Sequence, residues 1–159
     1  MIPIPKAGDS RCIENYKGIT LLSTVGKAFM TILNSRLAKW LEAWSILVNE
    51  QAGFREGYST VDQVFILNEL ICRQKRRKRK WVCAFLDIKR AYDVVWRDAM
   101  WKALWDVGVR GRMWRMLQGV YKGVQSCVDA GGVKSDWEPS TIGVRQGCII
   151  SPTLFCSLH

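Results

Sequence analysis

The 159 residues are enough for one domain with its own core, and 48% hydrophobic against 24% charged residues excludes a generally disordered chain. No apolar run approaches the roughly 20 residues that span a bilayer, and the opening Met-Ile-Pro-Ile-Pro-Lys lacks the basic-then-apolar order of a secretion signal. The net charge is +10, but seven of those charges fall within residues 73–80, so the chain is not basic throughout.

In chain order, residues 1–20 read as an extended segment with turns, marked by two prolines, Ala7-Gly8-Asp9-Ser10 and Tyr16-Lys17-Gly18. From Thr24 to Trp44, the apolar residues Val25, Phe29, Ile32, Leu33, Leu37, Trp40, Leu41 and Trp44 fall on one face of a helix. A loop with two glycines follows, over 49–58. Ser59-Thr60-Val61-Asp62 then resembles a capping box opening a second helix over 60–72, with Val61, Val64, Phe65 and Ile71 as its apolar face. After the basic run, Val82-Cys83-Ala84-Phe85-Leu86 is a short continuous apolar stretch that predicts a buried strand ending at Asp87. Helices are expected over 96–107, stopped by Gly108, and over 113–121. Residues 124–130 and 133–137 flank Gly131-Gly132 as a hairpin, and Ser151-Pro152 reads as an N-cap with proline at the first helical position. Trp40, Trp44, Trp101 and Trp105 sit at helical spacing and are expected in the core rather than as stacking platforms for bases.

The six cysteines form no CxxC pair and His159 is the only histidine, so no structural zinc is expected and the thiols point to the reducing interior of a cell. Asp87 has two readings from its position alone. A carboxylate at a strand end is a firm mount for a magnesium ion, which wants hard oxygen ligands, or it is a solvated strand terminator. Gly143-Val144-Arg145-Gln146-Gly147 also has two readings: a loop that approaches a nucleotide closely, or an ordinary entry to a helix. The basic run 73–80 reads as a solvated connection, a contact for nucleic-acid backbone, or a nuclear import signal.

Four ordered blocks carry a resemblance. They are Ile4-Pro5-Lys6 with Asn15-Tyr16-Lys17-Gly18-Ile19-Thr20-Leu21-Leu22-Ser23 and Lys27; Gln51-Ala52-Gly53-Phe54-Arg55-Glu56-Gly57-Tyr58-Ser59-Thr60-Val61-Asp62-Gln63; Phe85-Leu86-Asp87-Ile88-Lys89-Arg90-Ala91-Tyr92-Asp93; and Gly143-Val144-Arg145-Gln146-Gly147-Cys148-Ile149-Ile150-Ser151-Pro152-Thr153-Leu154-Phe155. The chain resembles, nearly end to end, the reverse transcriptase domain of non-LTR (LINE-type) retrotransposons.

That resemblance implies an α/β fold of the α+β type: the fingers (mostly 1–80) and part of the palm (81–159) of a right-hand polymerase, with an antiparallel palm sheet packed on helices. It implies RNA-directed DNA synthesis, with an RNA template, a DNA primer, deoxynucleoside triphosphates and two magnesium ions, and no membrane partner; the location is intracellular, with the nucleus as one option. Asp87 matches the catalytic, metal-binding aspartate, and the backbone at Ile88 would run along the same nucleotide. Tyr92 matches the aromatic that excludes a 2′-hydroxyl. Lys6 and Lys17 match the basic positions that hold the triphosphate; position 17 is usually arginine, and lysine keeps the charge without the bidentate fork. Gln146 and Gly147 match the pair bordering the nucleotide sugar. Arg55 is expected to support the fingers or touch template backbone, and Asp93 to cap a helix start. These residues should share one cleft.

The family also carries an aromatic-X-Asp-Asp hairpin beyond the fourth block, and a thumb. Neither lies within these 159 residues. The chain alone is therefore expected to be inactive, as a fragment of the polymerase or as a non-catalytic nucleic-acid-binding remnant of such an element.

Overall fold

The computed structural model describes residues 1–157; His159 lies outside them. The chain begins with an antiparallel hairpin, β1 (Ile2–Pro5) and β2 (Tyr16–Ile19), in which Ile4 faces Lys17 and Pro5 faces Tyr16. Helix α1 (Thr24–Ala43) opens on Ser23, whose hydroxyl accepts from the Gly26 N–H at 3.1 Å. Helix α2 (Thr60–Arg76) opens on Ser59, which accepts from Val61 N–H. Helices α3 (Arg97–Asp106) and α4 (Gly111–Tyr121) follow, with Gly108 in the left-handed conformation between them. Four two-residue strands then fold as a hairpin within a hairpin. β4 (Asp129–Ala130) pairs with β5 (Val133–Lys134) around Gly131-Gly132, and β3 (Gln125–Ser126) with β6 (Glu138–Pro139) outside them. The short helix α5 (Ser151–Cys156) completes the described chain.

The core is a helical one. Met30, Leu33, Leu37 and Leu41 of α1 meet Met100 and Leu104 of α3, Leu117 and Tyr121 of α4, and Leu154 of α5, with Val144, Cys148 and Ile150 sealing the join. Each fully buried leucine contributes about 2 kcal/mol by leaving water. Thr153 donates to Asn34 Oδ1 at 2.6 Å, tying α5 to α1 in register.

Several sequence expectations are corrected. Residues 82–87 are not a strand: the stretch is irregular, with Phe85 83% and Leu86 95% exposed. A strand exists only through a partner, and the three sheets among the described residues are two-stranded and pair other segments. No sheet therefore joins 82–87 to the helices. The helix over 60–72 forms and runs on to Arg76, yet buries nothing fully; Val61, Val64 and Phe65 are exposed and Ile71 half-buried. On α1 the buried stripe is narrower than the apolar face, and Val25, Phe29, Ile32 and Trp44 stay exposed. Trp105 is exposed too, edge-on to Trp114, while Trp40 and Trp101 pack on the core. Ser151 is the first residue of α5 rather than its cap; the cap position is Ile150, and Ser151 is drawn inward to Tyr121. Asp93 caps no helix, because α3 begins four residues later with Trp96 before it.

Candidate functional site

The first hairpin presents two cations. Lys6 donates its backbone N–H to Asn15 at 2.6 Å, extending the β1–β2 register by one step. Ile4 faces Lys17, and Lys6 lies two residues beyond Ile4, so both lysines stand on one face as diagonal neighbours, about 7–8 Å apart at the backbone. Both are exposed, and neither ammonium has an ion-pair partner among the described residues. Unpaired cations side by side on a short hairpin suit a multiply charged anion.

Backbone hydrogen bonds carry this hairpin to the glycine-flanked loop. Just past β2, the Thr20 N–H donates to the Gln146 carbonyl at 2.8 Å. Gly147 sits so close that an added Cβ would lie 3.0 Å from the Thr20 oxygen. The same loop is bound on its other side: Gly143 N–H donates to Val95 O at 2.8 Å, and Val144 N–H to Tyr92 O at 2.7 Å. The predicted residues Lys17, Gln146, Gly147 and Tyr92 thus belong to one hydrogen-bonded assembly, with Lys6 joined through the hairpin.

Two arginines that the sequence did not single out for a role hold that loop. Arg97 is 8% exposed, and its guanidinium donates to Gly143 O at 2.8 Å, to Ser140 O, and to Ser140 Oγ and Ile142 O at 3.0 Å each. Arg145 donates to Val120 O at 3.0 Å. Both guanidiniums lie 5.0 Å from the centre of the Tyr121 ring, whose hydroxyl is 3.3 Å from Ser151 Oγ. Burial holds Arg97 below the usual guanidinium range, with Tyr121 opposing the shift and the like charge of Arg145 adding to it. Burial likewise pushes the Tyr121 hydroxyl up. The one signal available in the sequence was an arginine at a helix start, where the helix dipole disfavours a cation and some other bond must hold it.

Tyr92 is half-buried and stacks on Phe155, ring centres 5.3 Å apart and planes within 14°. Burial raises its hydroxyl above the ordinary range, and the Cys156 thiol adds to this. Asp87 and Ile88 are exposed on the irregular segment. The Asp87 carboxylate has no hydrogen-bond or ion-pair partner among the described residues. Lys89, two residues on, reaches Glu14 at 3.9 Å between two exposed side chains, which is a weak tie to the first hairpin. Among the described residues, no group of three or more His, Cys, Asp and Glu is placed to hold a metal ion. Magnesium demands near-octahedral oxygen ligation, which one or two carboxylates complete with substrate phosphates and water, so Asp87 offers one ligand. The described residues do not supply the several carboxylates that two magnesium ions need.

Arg55 stands apart from this assembly. Its side chain is 6% exposed; Nε and Nη2 clasp the Glu42 carboxylate at 2.8 and 2.7 Å, and Nη1 donates to Val48 O and Gln51 O. It also lies 4.3 Å from the Tyr58 ring. These partners fasten loop 48–58 to α1. The Arg55 hydrogen bonds hold the Glu42 carboxyl below the usual carboxylate range, against the opposing effect of burial. A depressed folded pKa gives stability that is present above the unfolded value near 4.3 and lost as pH falls through the folded one. Glu42→Gln should therefore cost about 1 kcal/mol at neutral pH, discounted for its part-exposed carboxylate, and nothing at the acid end. Urea unfolding of both chains across that range checks this, and a cost independent of pH would refute it.

A family model described as reverse transcriptase (RNA-dependent DNA polymerase) matches residues 4–158. The chain is similar to a probable RNA-directed DNA polymerase from transposon X-element of Drosophila melanogaster, at 28% identity over 89% of the chain and 16% of that protein. It is similar to the RNA-directed DNA polymerase from mobile element jockey of the same species, at 26% over 98% of the chain and 17% of the relative. A third relative is the retrovirus-related Pol polyprotein from type-1 retrotransposable element R2 of Popillia japonica, at 28% over 96% of the chain and 21% of that protein. The chain spans about a sixth of the length of the first of these relatives.

Proposed function

The chain belongs to the reverse transcriptase family of non-LTR retrotransposons, and from that premise we propose that it forms the nucleotide-holding part of an RNA-directed DNA polymerase. Residues 1–80 are mostly fingers and 81–159 part of the palm. The observation that supports this reading is the hydrogen-bonded chain from the lysine hairpin through Thr20 to Gln146 and on to Tyr92. Lys6 and Lys17 hold the triphosphate charge. Gln146 and Gly147 border the sugar, and the Tyr92 ring excludes a ribonucleotide at its 2′-hydroxyl. Template RNA and primer DNA lie along the same face, with Asp87 toward the primer end.

In this family magnesium supplies the charge neutralisation for nucleotidyl transfer. With no group of three or more His, Cys, Asp and Glu placed to hold a metal among the described residues, the 159-residue chain binds nucleotide and nucleic acid but does not turn over. Primer extension on an RNA template, beside Asp87→Asn, tests this: neither chain should incorporate. Incorporation by the wild-type chain that Asp87→Asn abolishes would overturn it. The exposed, unpartnered Asp87 also favours a second reading, a nucleic-acid-binding remnant without catalysis.

The sugar role is tested in a complete polymerase carrying this segment. Tyr92→Ala should relax discrimination against ribonucleotides on the order of 100-fold, while Tyr92→Phe, which keeps the ring on Phe155, should leave it intact. An unchanged ratio in an active Tyr92→Ala enzyme would sink the assignment.

A further inference from the structure

The proposed nucleotide site leaves the largest charge feature of the chain unused. Residues 73–80 carry seven cations in eight positions, and all seven are exposed. Only Arg76 has an ion-pair partner among the described residues, Glu69 at 3.2 Å, and that pair is itself exposed. Like charges three and four positions apart destabilise a helix by a few tenths of a kcal/mol per pair. The exposed Glu69 pair and the negative end of the helix dipole offset only part of that repulsion, and residues 77–80 have no acidic partner among the described residues.

The run is held rather than frayed. Helix α2 extends through Arg76, and Arg77 caps it with its N–H on Arg73 O. Lys78 then adopts φ 50°, its N–H donating to Lys75 O at 3.0 Å, while the Arg79 N–H donates to Gln74 O at 3.1 Å. Those two bonds form a Schellman closure with lysine where glycine is usual, at about 1 kcal/mol of backbone strain. The cations are therefore fanned around a closed helix end. On the same side of α2, exposed Phe65, Ile66 and Leu70 share a shallow recess with Arg73, Arg76 and Arg77.

We propose that the C-terminal end of α2 and residues 77–80 form a sequence-independent binding surface for the phosphodiester backbone of single-stranded nucleic acid, with the Phe65–Leu70 stripe receiving bases or sugars. Phosphates supply the missing counter-charge, and an aromatic beside a cationic track is the usual arrangement for holding a single strand. The choice of nucleic acid over another polyanion rests on the polymerase reading above. Asp87 is seven residues beyond Lys80, so the two backbones lie no more than about 25 Å apart.

The test is fluorescence anisotropy of the 159-residue chain with labelled single-stranded RNA and DNA of about 20 nucleotides, over about 50 to 300 mM KCl. The variant neutralises Arg76, Arg77, Lys78 and Arg79 to Gln. The reference variant changes Lys102, Arg112, Arg115 and Lys122 to Gln, removing the same charge elsewhere. The first should lower the log–log salt slope by about 3 and weaken binding at least 100-fold near 100 mM salt; the second should do far less. A third chain, with Arg76, Arg77 and Arg79 changed to Lys, should keep the wild-type slope. Equal losses in the first two variants would mean diffuse charge and overturn the proposal. So would binding to phosphatidylcholine vesicles with about 30% phosphatidylserine but to neither nucleic acid. Either result leaves primer extension in a complete polymerase untouched, so failure here is distinct from failure of the polymerase reading.

Discussion

Arg97→Ala should destabilise the chain by about 3 kcal/mol, the largest loss expected from any single side chain in the loop assembly. The guanidinium is almost entirely buried and donates to three carbonyls and one hydroxyl between Ser140 and Gly143. Truncation leaves the buried Gly143 carbonyl without its donor and the part-buried Ser140 and Ile142 acceptors unpaired, opens space against Tyr121, and leaves Arg145 alone on the ring. The cost is one of unmade bonds as much as of lost attraction. Arg97→Lys keeps the charge but cannot reach Gly143, Ser140 and Ile142 together, so it should lose about 2 kcal/mol. Urea unfolding gives both values. A loss under about 1 kcal/mol for Arg97→Ala would mean that the loop is held chiefly by its backbone bonds to Tyr92 and Val95. In a complete polymerase the same substitution should raise the nucleotide KM more than it lowers kcat, since the loop bearing Gln146 would be loosened while the reacting groups stay in place.

The helices were legible because their evidence is local. The apolar spacing from Val25 to Trp44 marks α1, Ser59 announces α2, Gly108 separates α3 from α4, and Gly131-Gly132 turns the inner hairpin. What failed was non-local. Val82-Cys83-Ala84-Phe85-Leu86 has the composition of a buried strand, but composition does not provide a pairing partner, and the described chain has none for it. The apolar face on α2 is equally genuine and equally uncovered. The site shows the same division. The motif residues Tyr92, Gln146 and Gly147 were legible through resemblance, and their joining is visible in backbone bonds that no side chain encodes. Arg97 and Tyr121 escaped because a buried arginine and its aromatic partner are 24 residues apart, and each alone looks ordinary. Arg55 clasps Glu42, a partner nothing in the sequence singled out.

Gly143→Ala separates two costs that glycine usually hides together. Gly143 has φ +75°, where an alanine costs about 1–2 kcal/mol. A Cβ there would also lie 2.8 Å from Asp93 O and 2.9 Å from Tyr92 O, both backbone atoms that cannot swing aside. Relief requires the loop to move away from residues 92–95, which breaks the bonds from Gly143 to Val95 and from Val144 to Tyr92. With each backbone bond worth about 1 kcal/mol net, the total should reach about 3 kcal/mol. Gly131 supplies the comparison, since its φ is +63° and nothing lies within 4 Å of an added Cβ. Gly131→Ala should therefore show the strain alone, about 1 kcal/mol. Hydrogen exchange adds a local readout: the Val144 amide should lose protection in Gly143→Ala and keep it in Gly131→Ala. Equal destabilisation by the two substitutions would show that the loop absorbs the Cβ, and that its close approach to Tyr92 is not what fixes the position of Gln146. The larger loss at Gly143 would instead make that glycine the point where the motif loop is pinned to the segment bearing Tyr92.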